Sequence, residues 1–313
     1  MLTWRKRSKE SESAAADTRD ISTTWCMLAT QPGTTMITGL QHAAAIILIL
    51  SLLFLPPLKA QSATVTNNVL FRTFMVRSDR DGETIFSIDV DQREYWITAK
   101  HILTGAKHPP HGTIDAKTVT LKILSQVGES ENWITETFNV IDPGQDVDIA
   151  VLAPQKALLD EKNLVQSAKV DSAKVTFGGE CEFVGFPFGS AWTTKFEKGE
   201  IVHLPFIKRC TICGQITSPQ RIWVLDGINN EGFSGGPAVF ETGPSQQIFA
   251  VISGFRREPI DVVALPLPST GEPQPQAAAL ANTGFILAYD LTCAIEAIRK
   301  NPIGPKRHIE QKP

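Results

Sequence analysis

The chain has 313 residues, and Lys+Arg 30 against Asp+Glu 33 leaves a formal net charge of −3, which argues against a nucleic-acid partner. At 42% hydrophobic and 20% charged, the composition is that of a globular protein and excludes general disorder. With 22 glycines and 20 prolines, many turns between short strands are expected, not a helical bundle.

Residues 1–35 read as a polar extension, with Arg5, Lys6, Arg7 and Lys9 forming a basic stretch. Ala43–Leu55 (AAAIILILSLLFL) is too short to span a bilayer comfortably and matches the apolar region of a signal peptide. Behind the Pro56-Pro57 break, Ala60-Gln61-Ser62 supplies the small residues that signal peptidase accepts. Segment 36–63 is therefore expected to be a leader, cleaved or retained as a membrane anchor. Met36 offers an alternative start. If Met1 is the start, the basic stretch favours a cytoplasmic N-terminus. Either version predicts export of residues 64–313, to the periplasm or beyond.

Strands are expected at Val69–Val76, Thr84–Val90, Tyr95–Thr98, Val119–Leu124, Trp133–Val140, Ile149–Leu152, Lys174–Phe177, Glu182–Gly185, Lys198–His203, Arg221–Leu225, Ala238–Phe240, Ile248–Ile252 and Gly284–Ala288. That spacing indicates a sandwich or barrel. Proline-rich Arg256–Thr283 reads as a long surface insertion. Asp290 could cap a helix over 291–300, and 301–313 is expected to be a disordered tail. No internal repeat of 20–50 residues is evident.

Loss of the leader, and with it Cys26, would leave Cys181, Cys210, Cys213 and Cys293, an even number that suits an oxidising compartment. Cys210-Thr-Ile-Cys213 could be a redox pair, half a zinc site or a local disulfide. Without a βαβ pattern or a second such motif, a structural disulfide or two unpaired thiols is expected. His108 and His111 flank two prolines in a loop without a carboxylate partner, so no metal site is expected there.

Nucleophilic catalysis by a serine needs a base, a group that orients the base, and donors for the oxyanion. Glu231-Gly-Phe-Ser-Gly-Gly-Pro237 sets Ser234 among glycines, where a tight turn can aim two N–H groups at one point. Thr98-Ala-Lys-His101 ends one strand, and Asp148-Ile-Ala-Val-Leu152 starts another. Asp142 and Asp146 compete with Asp148 as the partner of His101; Asp148 is preferred because it directly precedes the apolar strand.

These motifs, TAKH, DIAVL and GFSGGP in that order, resemble those of the trypsin-like, chymotrypsin-fold serine peptidases. The separations are 47 residues (148 − 101) and 86 residues (234 − 148). The resemblance runs from about Asn68 to Lys300. It implies an all-β fold of two six-stranded antiparallel barrels, at about 68–155 and 172–290, with a C-terminal helix. It implies a serine endopeptidase that works without metal or cofactor on protein or peptide substrates. Ser234 would be the nucleophile, His101 the base, Asp148 its orienting carboxylate, and the N–H groups of Gly232 and Ser234 the oxyanion hole. Ile228, Ser253, Gly254 and Phe255 would line the specificity pocket; no acidic residue falls among them, so a small or apolar side chain is expected there. Phe233 departs from the aspartate or asparagine usual before the nucleophile and cannot pair with a new N-terminal ammonium, so direct folding to an active form is expected. The likeness to the high-temperature-requirement proteases stops at the catalytic domain, with no C-terminal peptide-binding domain expected. Two alternatives are a trypsin-fold binding protein without turnover and an esterase that uses the same triad.

Overall fold

The chain divides into two units, Met1–Gln61 and Ser62–Pro313, of which only the second is described. The computed structural model describes residues 65–77, 82–128, 130–159, 167–195, 199–217, 219–242, 245–262 and 277–307, all within the second unit. The expected leader and the extreme C-terminal residues 308–313 lie outside the described residues.

Helix α1 (Asn67–Leu70) precedes β1 (Thr73–Arg77), β2 (Glu83–Val90) and β3 (Arg93–Thr98). Helix α2 (Lys100–Thr104) follows, then β4 (Thr118–Leu124), β5 (Val127–Gly128), β6 (Trp133–Ile141) and β7 (Ala150–Pro154). These strands close a barrel in the order β1-β2-β3-β7-β6-β4, with β5 outside it. Next come β8 (Lys169–Val170), β9 (Glu180–Gly185), β10 (Trp192–Lys195), β11 (Ile201–Leu204), β12 (Phe206–Ile216) and β13 (Ile222–Asp226). The chain continues with β14 (Pro237–Thr242), β15 (Ser245–Val262), β16 (Ala277–Asp290) and helix α3 (Thr292–Lys300). The order β14-β9-β12-β13-β16-β15 closes through a β14–β15 pairing into a second six-stranded barrel. If each barrel's strands are lettered a to f along the chain, both run a-b-c-f-e-d, a structural repeat that the sequence does not display. The fold is thus the two-barrel chymotrypsin-like fold, antiparallel throughout both barrels.

Each barrel is filled by aromatic and β-branched side chains. In the first, the Trp96 ring lies 4.7 Å from Phe74 and 6.0 Å from Phe138. In the second, Phe249 meets Trp223 and Phe240 edge-on at 5.7 and 5.6 Å, and Phe183 meets Phe233 at 4.9 Å. Strands β10 and β11 form a hairpin whose free side takes β5, so a small third sheet joins the two halves.

Four expectations are corrected. The first strand begins at Thr73, because Val69 and Leu70 close the turn of α1. Lys174–Phe177 forms turns, while β12, absent from the expected strands, is an 11-residue central strand. Its alternation is masked by Lys208 and Arg209 and by a bulge at Ile212–Gly214. The ends of the Arg256–Thr283 insertion are not irregular: they extend β15 to Val262 and β16 back to Ala277 as one ladder. Residues 301–307 are an ordered strap, not a tail. Glu94 N–H donates to Pro305 C=O at 3.0 Å and Arg307 N–H to Gln92 C=O at 2.9 Å. The buried Arg307 guanidinium lies 3.6 Å from Glu94 and 3.7 Å from Asp89. Asp89 also takes two hydrogen bonds from Arg72, at 3.1 and 2.8 Å.

One buried charge works against the fold. Glu182 on β9 is 2% exposed, and its carboxylate oxygens accept no hydrogen bond among the described residues; Arg209 approaches only to 4.0 Å. Burial pushes its carboxyl above the usual range; Arg209 partly offsets this, while the like charges of Glu241 and Glu180 add to the rise. A raised folded pKa makes the ionised group a penalty above that pKa and none below the unfolded value, about 4.3. Glu182→Gln is therefore expected to melt above the wild type at pH 7 and to converge with it below about pH 4. Melting curves across that range check this; a variant less stable at pH 7 would contradict it.

Candidate active site

The site forms where loops of the two barrels meet. Ala99, in extended backbone, turns the end of β3 into α2, which presents His101 in its first turn. Asp148 lies just before β7 and is wholly buried. Its Oδ1 accepts the His101 backbone N–H at 2.8 Å, and its Oδ2 lies 2.7 Å from His101 Nδ1. One carboxylate thus fixes both the backbone and the ring of the histidine. The Ser253 hydroxyl, from β15 of the other barrel, also donates to Oδ2. Burial alone would raise the Asp148 carboxyl, but the His101 hydrogen bond and charge, the Ser253 hydroxyl and nearby His111 bring it below the usual range.

The competing carboxylates go elsewhere. Asp142 takes the buried Lys100 ammonium at 2.5 Å and the N–H groups of Gly144 and Ile114. Burial would raise its carboxyl, and those donors hold it below the usual range. Asp146 makes none of the hydrogen bonds to His101.

Ser234 lies in a turn in which Gly232 and Gly235 have φ of +95° and +84°, the left-handed region that favours glycine. Space matters as much as torsion. A Cβ on Gly232 would lie 2.2 Å from Phe186 C=O, and one on Gly235 2.1 Å from Thr84 C=O. The N–H groups of Gly232 and Ser234 have no acceptor among the described residues. The adjoining carbonyls are held: Glu231 C=O accepts Phe188 N–H at 2.7 Å, and Gly232 C=O accepts the Thr84 hydroxyl at 2.6 Å. Because C=O and N–H point oppositely across a trans peptide, the Phe188 bond turns Gly232 N–H away from Phe188. Phe188 takes φ 53° and ψ 29° to make it.

Thr84 is the residue that sequence reasoning missed. From the start of β2 it donates its N–H to Ser234 C=O at 3.0 Å, donates its hydroxyl to Gly232 C=O, and accepts Phe186 N–H at 3.1 Å. No motif marks it, because a threonine opening a strand is unremarkable until the second barrel docks. For His111 the sequence alone points to no role. Its ring is buried against Asp148, with Nδ1 3.7 Å from Oδ1, and its Nε2 lies 2.9 Å from the Tyr289 hydroxyl.

The Ser234 hydroxyl donates to Ser253 C=O at 3.0 Å, and no hydrogen bond joins it to His101 in this structure. Ser253 occupies the bulged position in β15 between Ile252 and Gly254, which aims its carbonyl at Ser234 and its hydroxyl at Asp148. Beside it, a Cβ on Gly254 would meet nothing within 4 Å, so that position opens onto free space. Ile228 is 65% exposed, and Phe255 is half-buried with the Arg257 guanidinium 4.8 Å from its ring. Lys208 donates to Ile228 C=O at 2.6 Å and to Asn230 Oδ1 at 2.5 Å, which places a cation at this end of the cleft. Phe233 points inward, fully buried among the second barrel's rings. Among the described residues no group of three or more His, Cys, Asp or Glu could hold a metal ion.

No protein-family model matches the sequence, and no curated protein matches it significantly. Similar solved structures include the active form of the Rv3671c protease from M. tuberculosis, 13% identical with a TM-score of 0.44 over 94% of this chain and 97% of that one. The HtrA-type protease AlgW with tripeptide is 15% identical, with a TM-score of 0.44 over 74% of this chain and 60% of that one. The serine endoprotease from Yersinia pestis is 17% identical, with a TM-score of 0.41 over 76% and 66%.

Thr84→Val keeps the shape and removes the hydroxyl, leaving Gly232 C=O and Phe186 N–H without that partner. It is expected to destabilise the protein by about 1–3 kcal/mol, read as a lowered urea midpoint at unchanged slope. An unchanged midpoint would refute the clamp.

Proposed function

We propose that this chain is an exported serine endopeptidase that cleaves peptide bonds through an acyl-enzyme. The observation that carries the proposal is the conjunction of the Asp148–His101 pair with a serine whose own N–H and that of Gly232 have no acceptor among the described residues. Ser234 Oγ turns from Ser253 C=O toward His101, whose Nε2 takes its proton as the oxygen attacks the scissile carbonyl. Asp148 holds Nδ1 protonated, so Nε2 carries the lone pair, and it stabilises the imidazolium that forms. The oxyanion enters the space before Gly232 and Ser234, where each donor is worth about 2.7–4 kcal/mol in a comparable protease. His101 then protonates the leaving amine, and water enters by the same route to release the acyl group.

Peptide substrates would lie against Ser253, Gly254 and Phe255, with the side chain before the scissile bond near Ile228. The Lys208 ammonium and the lack of an acidic residue there support a small or apolar preference over a basic one. Purified full chain, given a quenched peptide library, is expected to cleave after small or apolar residues. Ser234→Ala and His101→Ala should fall to background, and Asp148→Asn should lose roughly 10⁴ in kcat. Cleavage mainly after Lys or Arg would overturn the specificity, and retained activity in Ser234→Ala the mechanism.

Export rests on Ala43–Leu55 and the small residues behind it. Mass spectrometry of the N-terminus from the native host is expected to find Gln61–Thr64 first, or an intact apolar segment in the membrane fraction if the leader is retained as an anchor. A soluble cytoplasmic chain with residues 36–63 intact would contradict export.

A further inference from the structure

The CxxC motif of the sequence does not stay together in the fold. Cys210 and Cys213 lie on one strand, β12, where residues three apart are separated by about 10 Å at about 3.3 Å per residue. Cys213 is exposed, with its Sγ against Val224 C=O at 3.3 Å. Cys210 points into the second barrel and is 4% exposed. Directly opposite it in the β9–β12 ladder is Cys181, 0% exposed, and the two sulfurs are 2.9 Å apart. Opposed residues of antiparallel strands have Cα atoms about 4.5–5.5 Å apart, inside the about 4.4–6.8 Å that a disulfide spans.

We propose that Cys181 and Cys210 form a disulfide that clamps β9 to β12, leaving Cys213 and Cys293 as thiols. Cys293 sits in α3, its Sγ 3.3 Å from Asp290 C=O. The bond forms as two thiols surrender two protons and two electrons to an oxidant such as glutathione disulfide, which is reduced to two glutathione thiols. In the folded barrel the Cys181 sulfur and burial push the Cys210 thiol far above its ordinary range. The thiolate needed for exchange is therefore scarce after folding, so the bond closes while the strands are still accessible and afterwards resists reduction.

The clamp bears on the site without belonging to it. The segment between the two cysteines carries Phe188, which holds Glu231 C=O. A Cβ on Gly227 would lie 3.1 Å from Cys210 Cβ, just before Ile228. The inference is independent of the catalytic reading, since it needs only the ladder and an oxidising compartment.

The test uses the full chain folded in a glutathione redox buffer, alkylated with N-ethylmaleimide in denaturant without reductant, then digested and mapped by mass spectrometry. A linked peptide pair containing Cys181 and Cys210, with Cys213 and Cys293 alkylated, is expected. Alkylation of both Cys181 and Cys210, or a Cys210–Cys213 link, overturns the proposal. Denaturing reduction followed by refolding under reductant should lower the melting temperature by about 5–10 °C, and Cys181→Ala with Cys210→Ala should melt alike with and without reductant. If that double variant does not fold, the map of the wild type decides alone.

Discussion

A carboxylate with no exposure to water stays ionised only if its lost hydration is replaced bond for bond, and Asp148 is such a group. Its replacements are two donors from His101 and one from Ser253. The first two belong to its own barrel; the third comes from the other. The charge that orients the histidine is therefore completed only when the barrels are docked, and the ion that would serve catalysis also reports that the cleft is assembled. Ser253 carries both halves of this coupling, its hydroxyl on Asp148 and its carbonyl on the Ser234 hydroxyl.

The same dependence runs the other way across the cleft. Thr84 of the first barrel holds Ser234 and Gly232 of the second by their carbonyls, and Phe188 holds Glu231 by its own. Each held carbonyl fixes the plane of its own peptide, so the Gly232 N–H is set by the Glu231 bond and the Ser234 N–H by the bond from Gly236 N–H to Phe233 C=O. The glycines are dictated by backbone closeness: at Gly232, Gly235 and Gly236 any Cβ would fall within 2.2 Å of a carbonyl oxygen.

Much of this was legible in the sequence. Histidine at a strand end, an aspartate opening an apolar strand and a serine among glycines carry their chemistry in residue type and order, so His101, Asp148 and Ser234 could be picked out before any coordinates. Thr84 could not, since its role exists only in contacts to residues 102 or more positions away. Ser253 is expected at the pocket wall, and its hydroxyl also serves Asp148, because a bulge that no local propensity encodes turns it there. Strand β12 escaped notice because exposed charges and a bulge break its period. The strap at 301–307 looked like a tail because its polar composition hides an arginine that pairs with buried carboxylates.

Whether Ser234 is an activated nucleophile with His101 as its base can be decided with a fluorophosphonate probe, which needs no knowledge of the substrate. Stoichiometric labelling of the full chain at Ser234 is expected, abolished by Ser234→Ala and by His101→Ala in variants whose circular dichroism matches the wild type. A folded wild-type protein that takes no label, or labelling that survives in His101→Ala, would contradict it.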